Sequence, residues 1–249
     1  MTRRLLATLI ALVGTAGLVA LGLSTFFPVE DRVTLAQEGP ISSVEVDVEV
    51  GRVTVVPGEG DVATIGRTRR HLWGEPDTSE MLVGGVLRIV ASCQRILTFG
   101  CSVDYRVAVP AGVSVRIRSE RGSVSVADMA GMVEVDTGSG AVRLARTKGP
   151  VRVTTSAGDV EGVDLAATFM DATTGAGRIR LSLAEPPGRL GLTTGAGNID
   201  VGLPTVLGGY RVDADAGSGK VDIGVEQNPG GSRTITARSR AGNIGVRVR

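Results

Sequence analysis

Eight glycines of this chain, Gly51, Gly122, Gly140, Gly158, Gly177, Gly197, Gly219 and Gly242, share one local pattern: apolar residues stand seven and five positions before each and two and four positions after. Of the 32 positions so defined, only Gly162 is not Ala, Val, Ile, Leu or Met. From Gly122 onward the spacings are 18, 18, 19, 20, 22 and 23 residues, the length range of one solenoid coil. In residues 190–203 each half alternates with period two and so carries one apolar face. The two halves are out of phase, because −5 to +2 is an odd step. A corner residue must absorb that shift, and glycine at positive φ does so at least cost. A type II′ hairpin would need its glycine at −2, where Glu49, Glu120, Ser156 and Arg240 stand in half of the repeats. The pattern therefore predicts an all-β, parallel β-solenoid of about 18–23 residues per coil, with the eight glycines as structural corners.

Glycine is 36 of 249 residues and aromatics only 3%, so the core must be Val, Ile, Leu and Ala around tight corners. Lys plus Arg is 27 against 26 Asp plus Glu, and the basic residues are scattered, which argues against a nucleic-acid partner or a polybasic membrane patch.

Four segments follow from these patterns: 1–28 as a transmembrane anchor or signal-like segment, 29–40 as a linker, 41–118 as irregular N-terminal coils, and 119–249 as regular repeats, with 41–249 one continuous domain. Behind Arg3 and Arg4, residues 5–27 carry no charge. As a helix they reach about 35 Å, enough to cross a hydrocarbon core of about 30 Å. A cleaved secretory signal is the alternative, although the nearest small-x-small site, Thr34-Leu35-Ala36, lies past the apolar run. Either way the N-terminus is expected in the cytoplasm and the rest outside the cell membrane. Cys93 and Cys101, the only cysteines, are then expected to form a disulfide worth about 2–3 kcal/mol, two buried thiols being the alternative.

Stacked in chain order, the +2 column reads Val124, Val142, Val160, Ile179, Ile199, Val221, Ile244, and the outward +3 column Ser125, Arg143, Glu161, Arg180, Asp200, Asp222, Gly245. Asp200 and Asp222 would then be neighbours about 4.8 Å apart, close to the carboxylate separation of a retaining glycosidase. Arg180 beside them, and the lack of aromatic subsites, favour a solvated charge ladder. His71, the only histidine, reads as a surface or capping residue, since no motif supplies a nucleophile and an orienting acid. Trp73 and Tyr105 read as packing or an end cap rather than a sugar-stacking spot. No catalytic, cofactor-binding or metal residues are expected. Two cysteines without a histidine nearby supply half of a zinc shell. Val or Ile stands where a calcium-binding repeat needs Asp, and Gly138-Ser139-Gly140 lacks the lysine of a phosphate loop.

Gly51-Arg-Val-Thr-Val, then Tyr105-Arg-Val-Ala-Val-Pro110, then the serial Thr-Gly-Ser-Gly and Thr-Gly-Ala-Gly motifs resemble the bacterial "putative adhesin" family of glycine-rich β-repeat domains over roughly residues 40–249. That resemblance implies a right-handed β-solenoid, commonly behind an N-terminal membrane segment, with no established ligand and no catalytic residues to carry over. The expected function is a non-enzymatic, membrane-tethered, extracytoplasmic binding or scaffolding module whose partner is an envelope protein or glycan. The alternative is a polysaccharide-acting lyase or glycosidase on a β-helix. Homotypic stacking through an uncapped C-terminal coil is a further expectation, because the chain stops at Arg249 straight after a strand.

Overall fold

The computed structural model describes residues 29–37, 39–60, 62–72, 74–93 and 100–249; the expected membrane segment and Trp73 lie outside them. Every regular element in the described residues is a strand, and the strands form an eleven-stranded first sheet and a ten-stranded second sheet facing one another. In chain order they are β1 (Val29–Gln37), β2 (Ser43–Val50), β3 (Val53–Pro57), β4 (Ala63–His71), β5 (Asp77–Val83), β6 (Val86–Ser92) and β7 (Ser102–Val109). There follow β8 (Ser114–Arg121), β9 (Val124–Ala127), β10 (Val133–Ser139), β11 (Val142–Ala145), β12 (Val151–Ala157), β13 (Val160–Leu165) and β14 (Phe169–Ala176). The last are β15 (Ile179–Leu183), β16 (Arg189–Ala196), β17 (Ile199–Leu203), β18 (Arg211–Asp215), β19 (Val221–Gly224), β20 (Thr234–Ala241) and β21 (Ile244–Val248).

In each regular repeat the strand before the glycine lies in the second sheet and the strand after it in the first, so the chain winds as a two-walled solenoid. Positions −7 and −5 of one wall and +2 and +4 of the other point inward and form one continuous core, from Val44 and Val46 to Ile244 and Val246. Seven of the corner glycines have φ between +135° and +159°. Gly219 is the exception, because in that coil the positive φ has moved to Gly217 at +55°. A second constraint applies to all of them. A Cβ on Gly140, Gly158, Gly177 or Gly197 would lie 2.0–2.1 Å from the carbonyl oxygen of the corner glycine one coil below, and one on Gly219 2.0 Å from that of Gly242. Glycine is required there by the contact between stacked backbones as well as by the dihedral.

A polar column runs just inside the corner. Position −3 holds Ser119, Thr137, Thr155, Thr174, Thr194 and Ser239, all buried. Thr174 donates to Gly158 O at 3.0 Å, Thr194 to Gly177 O at 2.9 Å and Ser239 to Gly197 O at 2.9 Å, so these hydroxyls cap the carbonyls against which the next glycine packs. Ser119 and Thr155 have no hydrogen-bond partner among the described residues. At the opposite edge three non-glycine residues one repeat apart, Asp128, Arg146 and Asp164, adopt φ of +50° to +58°.

Coil order departs from chain order at both ends. Spatially β21 lies between β17 and β19, and β20 between β16 and β18, so residues 234–248 form the penultimate coil and residues 211–224 the last. The inward column therefore runs Ile199, Ile244, Val221. The expected uncapped end formed by the final strand is thus corrected: the open edge belongs to β18 and β19, where Val221 is 43% exposed while Ile199 and Ile244 are buried. At the other end β6 and β7 stack outside β2 and β3 although they come later in the chain. That outermost coil has no corner glycine. Between β6 and β7 the Cys93–Cys101 disulfide holds Cα atoms 6.0 Å apart, and Val103 O takes the place of the glycine carbonyl against Gly51. Two antiparallel excursions finish this end, β4 between β7 and β1, and β5 against β6. Residues 29–40, expected as a linker, thus contain β1, whose Leu35 packs on the core opposite Ile65 and covers the edge of β4.

Gly197→Ala is expected to cost more than about 2 kcal/mol, from backbone overlap and strain together, whereas Gly112→Ala, with open space around its Cβ, leaves the thermal midpoint unchanged. The hydroxyl column gives a paired expectation. Thr194→Val removes a cap from a buried carbonyl and costs about 1 kcal/mol, while Thr155→Val, which removes a buried hydroxyl without a partner, is neutral or stabilising in denaturant titration.

Candidate functional site

At the disulfide end the solenoid interior becomes polar. β4 and β7 pair so that Arg67 stands beside Tyr105, both facing the second sheet, and β5 brings Glu80 opposite. Arg67 Nη1 donates to both Glu80 oxygens at 2.9 and 3.1 Å and to Thr78 Oγ1 at 2.8 Å, and Tyr105 OH donates to Glu80 Oε1 at 2.7 Å. The pair is largely buried, with side chains 12% and 7% exposed. Burial, then the hydrogen bond to the Glu80 carboxylate, holds the Tyr105 hydroxyl protonated far above the ordinary phenol range. Tyr105 is therefore a buried structural residue, not a surface platform for sugars. His71 ends β4, half-buried and opposite Val29. Nothing in the sequence flagged Glu80, because a polar residue at an inward position leaves no trace in an apolar alternation.

Asp200 and Asp222 are not neighbours. Each pairs with Gly245 of β21, from opposite sides. Arg247 from the same strand contacts Asp222 at 3.6 Å, and its guanidinium fills the space above Gly245. The carboxylates that chain order placed side by side are two strands apart with an arginine between them, an arrangement of a charge ladder. No cluster of three or more metal-ligating side chains occurs among the described residues.

Outward charges elsewhere are arranged coil by coil in the same way. Along the αL edge Arg146 makes a bidentate pair with Asp128 at 2.6 and 2.7 Å, and Arg249 reaches back to Asp164, so signs alternate up the column. The Arg146 hydrogen bonds hold the Asp128 carboxyl below its ordinary range.

The outer face of the second sheet differs from these ladders in its C-terminal half. One column begins Glu45, Arg116, Glu134, Arg152, with Arg116 clasped by Glu134 at 2.5 and 3.0 Å. Asp171 continues the alternation, which then lapses at Gly191 and Thr236. The adjacent column reads Thr154, Thr173, Thr193, Arg238, all exposed. Beside it Gly175 and Gly195 lack side chains because a Cβ on either would meet a neighbouring carbonyl oxygen at 2.4–2.5 Å. The outcome is a groove running across β12, β14, β16 and β20, in two adjoining hollows of about 430 and 540 Å³ that share Thr173, Thr193 and Arg238.

Residues 107–249, more than half of the sequence, match the family model described as Toastrack DUF4097. The chain belongs to that family. Among solved structures, a protein described as a "putative adhesin" from Bacteroides fragilis shares the fold, with a TM-score of 0.50 and 11% identity over 87% of this chain and 97% of its own. A "putative adhesin" from Parabacteroides distasonis follows at 0.44 and 11% identity, covering 88% and 97%. A "putative cell adhesion protein" from Clostridium sporogenes stands at 0.39 and 10% identity, covering 90% and 100%. No curated protein matches the chain. The resemblance drawn from the glycine motifs and the family match agree, and both describe a fold whose sequence signal is structural.

The Asp128 pair fixes the sign of a pH effect. Its folded carboxyl titrates below the unfolded value of about 3.9, so the stabilisation is present above that pH and is lost as pH falls through the folded value. In a carbonyl-detected NMR titration, Arg146→Gln is expected to move the Asp128 midpoint up toward the unfolded value.

Proposed function

We propose that this chain is a non-enzymatic, membrane-tethered, extracytoplasmic module that presents the outer walls of a right-handed β-solenoid as an adhesin-like binding or scaffolding surface of the cell envelope. The observation that carries the non-enzymatic part is the insertion of β21 between β17 and β19. It separates Asp200 from Asp222 and sets Arg247 beside Asp222. That takes apart the carboxylate pair on which the glycosidase or lyase alternative rested. The adhesin-like part draws on the shared fold of the Bacteroides fragilis protein described as a "putative adhesin". A stack of closed coils suits such a role, because it holds outward side chains in fixed columns about 4.8 Å apart without a lid or hinge.

The tether rests on residues 5–27, which are long and apolar enough to span a bilayer behind two arginines. β1, which follows that segment, sits at one end of the first sheet and β19 at the other, so an anchored rod would hold its last coil farthest from the membrane.

Two measurements test the reading. In membrane fractionation the full chain is expected to sediment with the membrane, resist alkaline carbonate extraction, and be digested by protease added outside intact cells. Incubated with envelope glycans, it is expected to release no reducing ends or unsaturated products, and Asp200→Ala to behave as the parent. Soluble, protease-protected protein overturns the tether and the location; turnover abolished by Asp200→Ala overturns the non-enzymatic assignment.

A further inference from the structure

We propose that the groove across β12, β14, β16 and β20 binds an extended acidic polysaccharide, its anionic groups taken by Arg152, Arg189 and Arg240 and its hydroxyls by the outward threonines. This rests on the binding-module reading above and names the ligand class for one face of the rod.

Three features of the groove point to that chemistry. The first is its cations. Among the described residues, Arg238 is paired with Asp213 at 3.2 Å, whereas Arg152, Arg189 and Arg240 make no ion pair. For Arg152 the cause is visible: its neighbour Asp171 turns its carboxylate away, over the open space above Gly191, where an added Cβ would meet Asp171 Oδ1 at 2.2 Å. Arg189 is held instead over the Phe169 ring at 5.8 Å, which fixes the stem and leaves the guanidinium edge available. Arginine presents a planar donor fork that matches carboxylate and sulfate groups.

The second feature is the floor. Exposed Thr154, Thr173 and Thr193 repeat at the strand spacing of about 4.8 Å, comparable with the length of one sugar ring, beside the bare backbone at Gly175 and Gly195. A long, flat ligand can therefore lie along the rod axis and meet a hydroxyl at each step. The third is what lines the groove besides arginine. Asp171 and Asp215 offer acceptors for sugar hydroxyls. No aromatic side chain lines either hollow, so single-stranded nucleic acid would find no stacking platform.

The test uses the full chain in detergent solution, titrated against polygalacturonate and heparin, with neutral dextran and single-stranded DNA for comparison. Affinity for at least one of the acidic glycans is expected to exceed that for dextran and DNA by more than tenfold and to fall with added salt. Retention of polygalacturonate assigns carboxylate recognition, and retention of heparin alone assigns sulfate. The triple change Arg152→Gln, Arg189→Gln, Arg240→Gln is expected to lower affinity at least tenfold, Arg152→Gln alone severalfold, and Arg143→Gln on the other sheet not at all. All three sites are exposed, so the melting temperature should be unchanged. Failure to bind either glycan at low salt, equal binding of DNA, or parental affinity of the single and triple variants overturns the proposal. Membrane retention and absence of turnover would be unaffected by that result, so the groove can fail while the proposed function stands.

Discussion

Everything in this rod depends on one close approach, the packing of a corner glycine onto the carbonyl of the glycine below it. With about 2 Å between a hypothetical Cβ and that oxygen, the two backbones occupy space that any other residue would claim. The contact sets where consecutive coils sit, and the ladder hydrogen bonds of both walls follow from it. The buried hydroxyls at −3 belong to the same device, because a carbonyl pressed against a CH₂ group and shielded from water needs a donor from the side. Corner, cap and wall are one unit repeated, which explains why the Thr-x-x-Gly spacing recurs alongside the apolar alternation.

The walls, the corners and the inward columns were legible because period-two alternation reports which face a residue takes. It does not report which strand lies alongside. Gly219 and Gly242 have equivalent neighbourhoods in sequence, yet the coil of Gly242 is the one that stacks on Gly197. Chain order was the simplest guess and it misplaced Val221, Asp222 and the open edge. The −3 hydroxyls were visible only as part of a motif, since a polar residue facing inward breaks the hydrophobic count. Arg67 and Glu80 were hidden for the same reason. β1 was obscured by its charges: Glu30, Asp31 and Arg32 interrupt the apolar alternation, and Asp31 is satisfied only once β4 supplies Arg69 across the pair.

The electrostatics of the surface follow from the stacking geometry. Residues 18 or so apart become neighbours, so an Arg in one coil finds an acid in the next, as with Arg116 and Glu134 or Arg146 and Asp128. Each such pair is exposed and contributes little to stability, but a slipped coil would place like charges together, which favours one register. Where the alternation is abandoned, on the outer face of the second sheet between β12 and β20, unpaired arginines and bare glycines appear together.

The interposed coil also bears on how such a rod is assembled. Residues 211–224 emerge before residues 234–248, yet the strands they form touch only those later strands, with nothing earlier as a bed. Folding from the N-terminal side can add coils one by one only as far as β17. β18 and β19 have no strand to pair with until β20 and β21 are available, so that end of the rod depends on sequence-distant pairing.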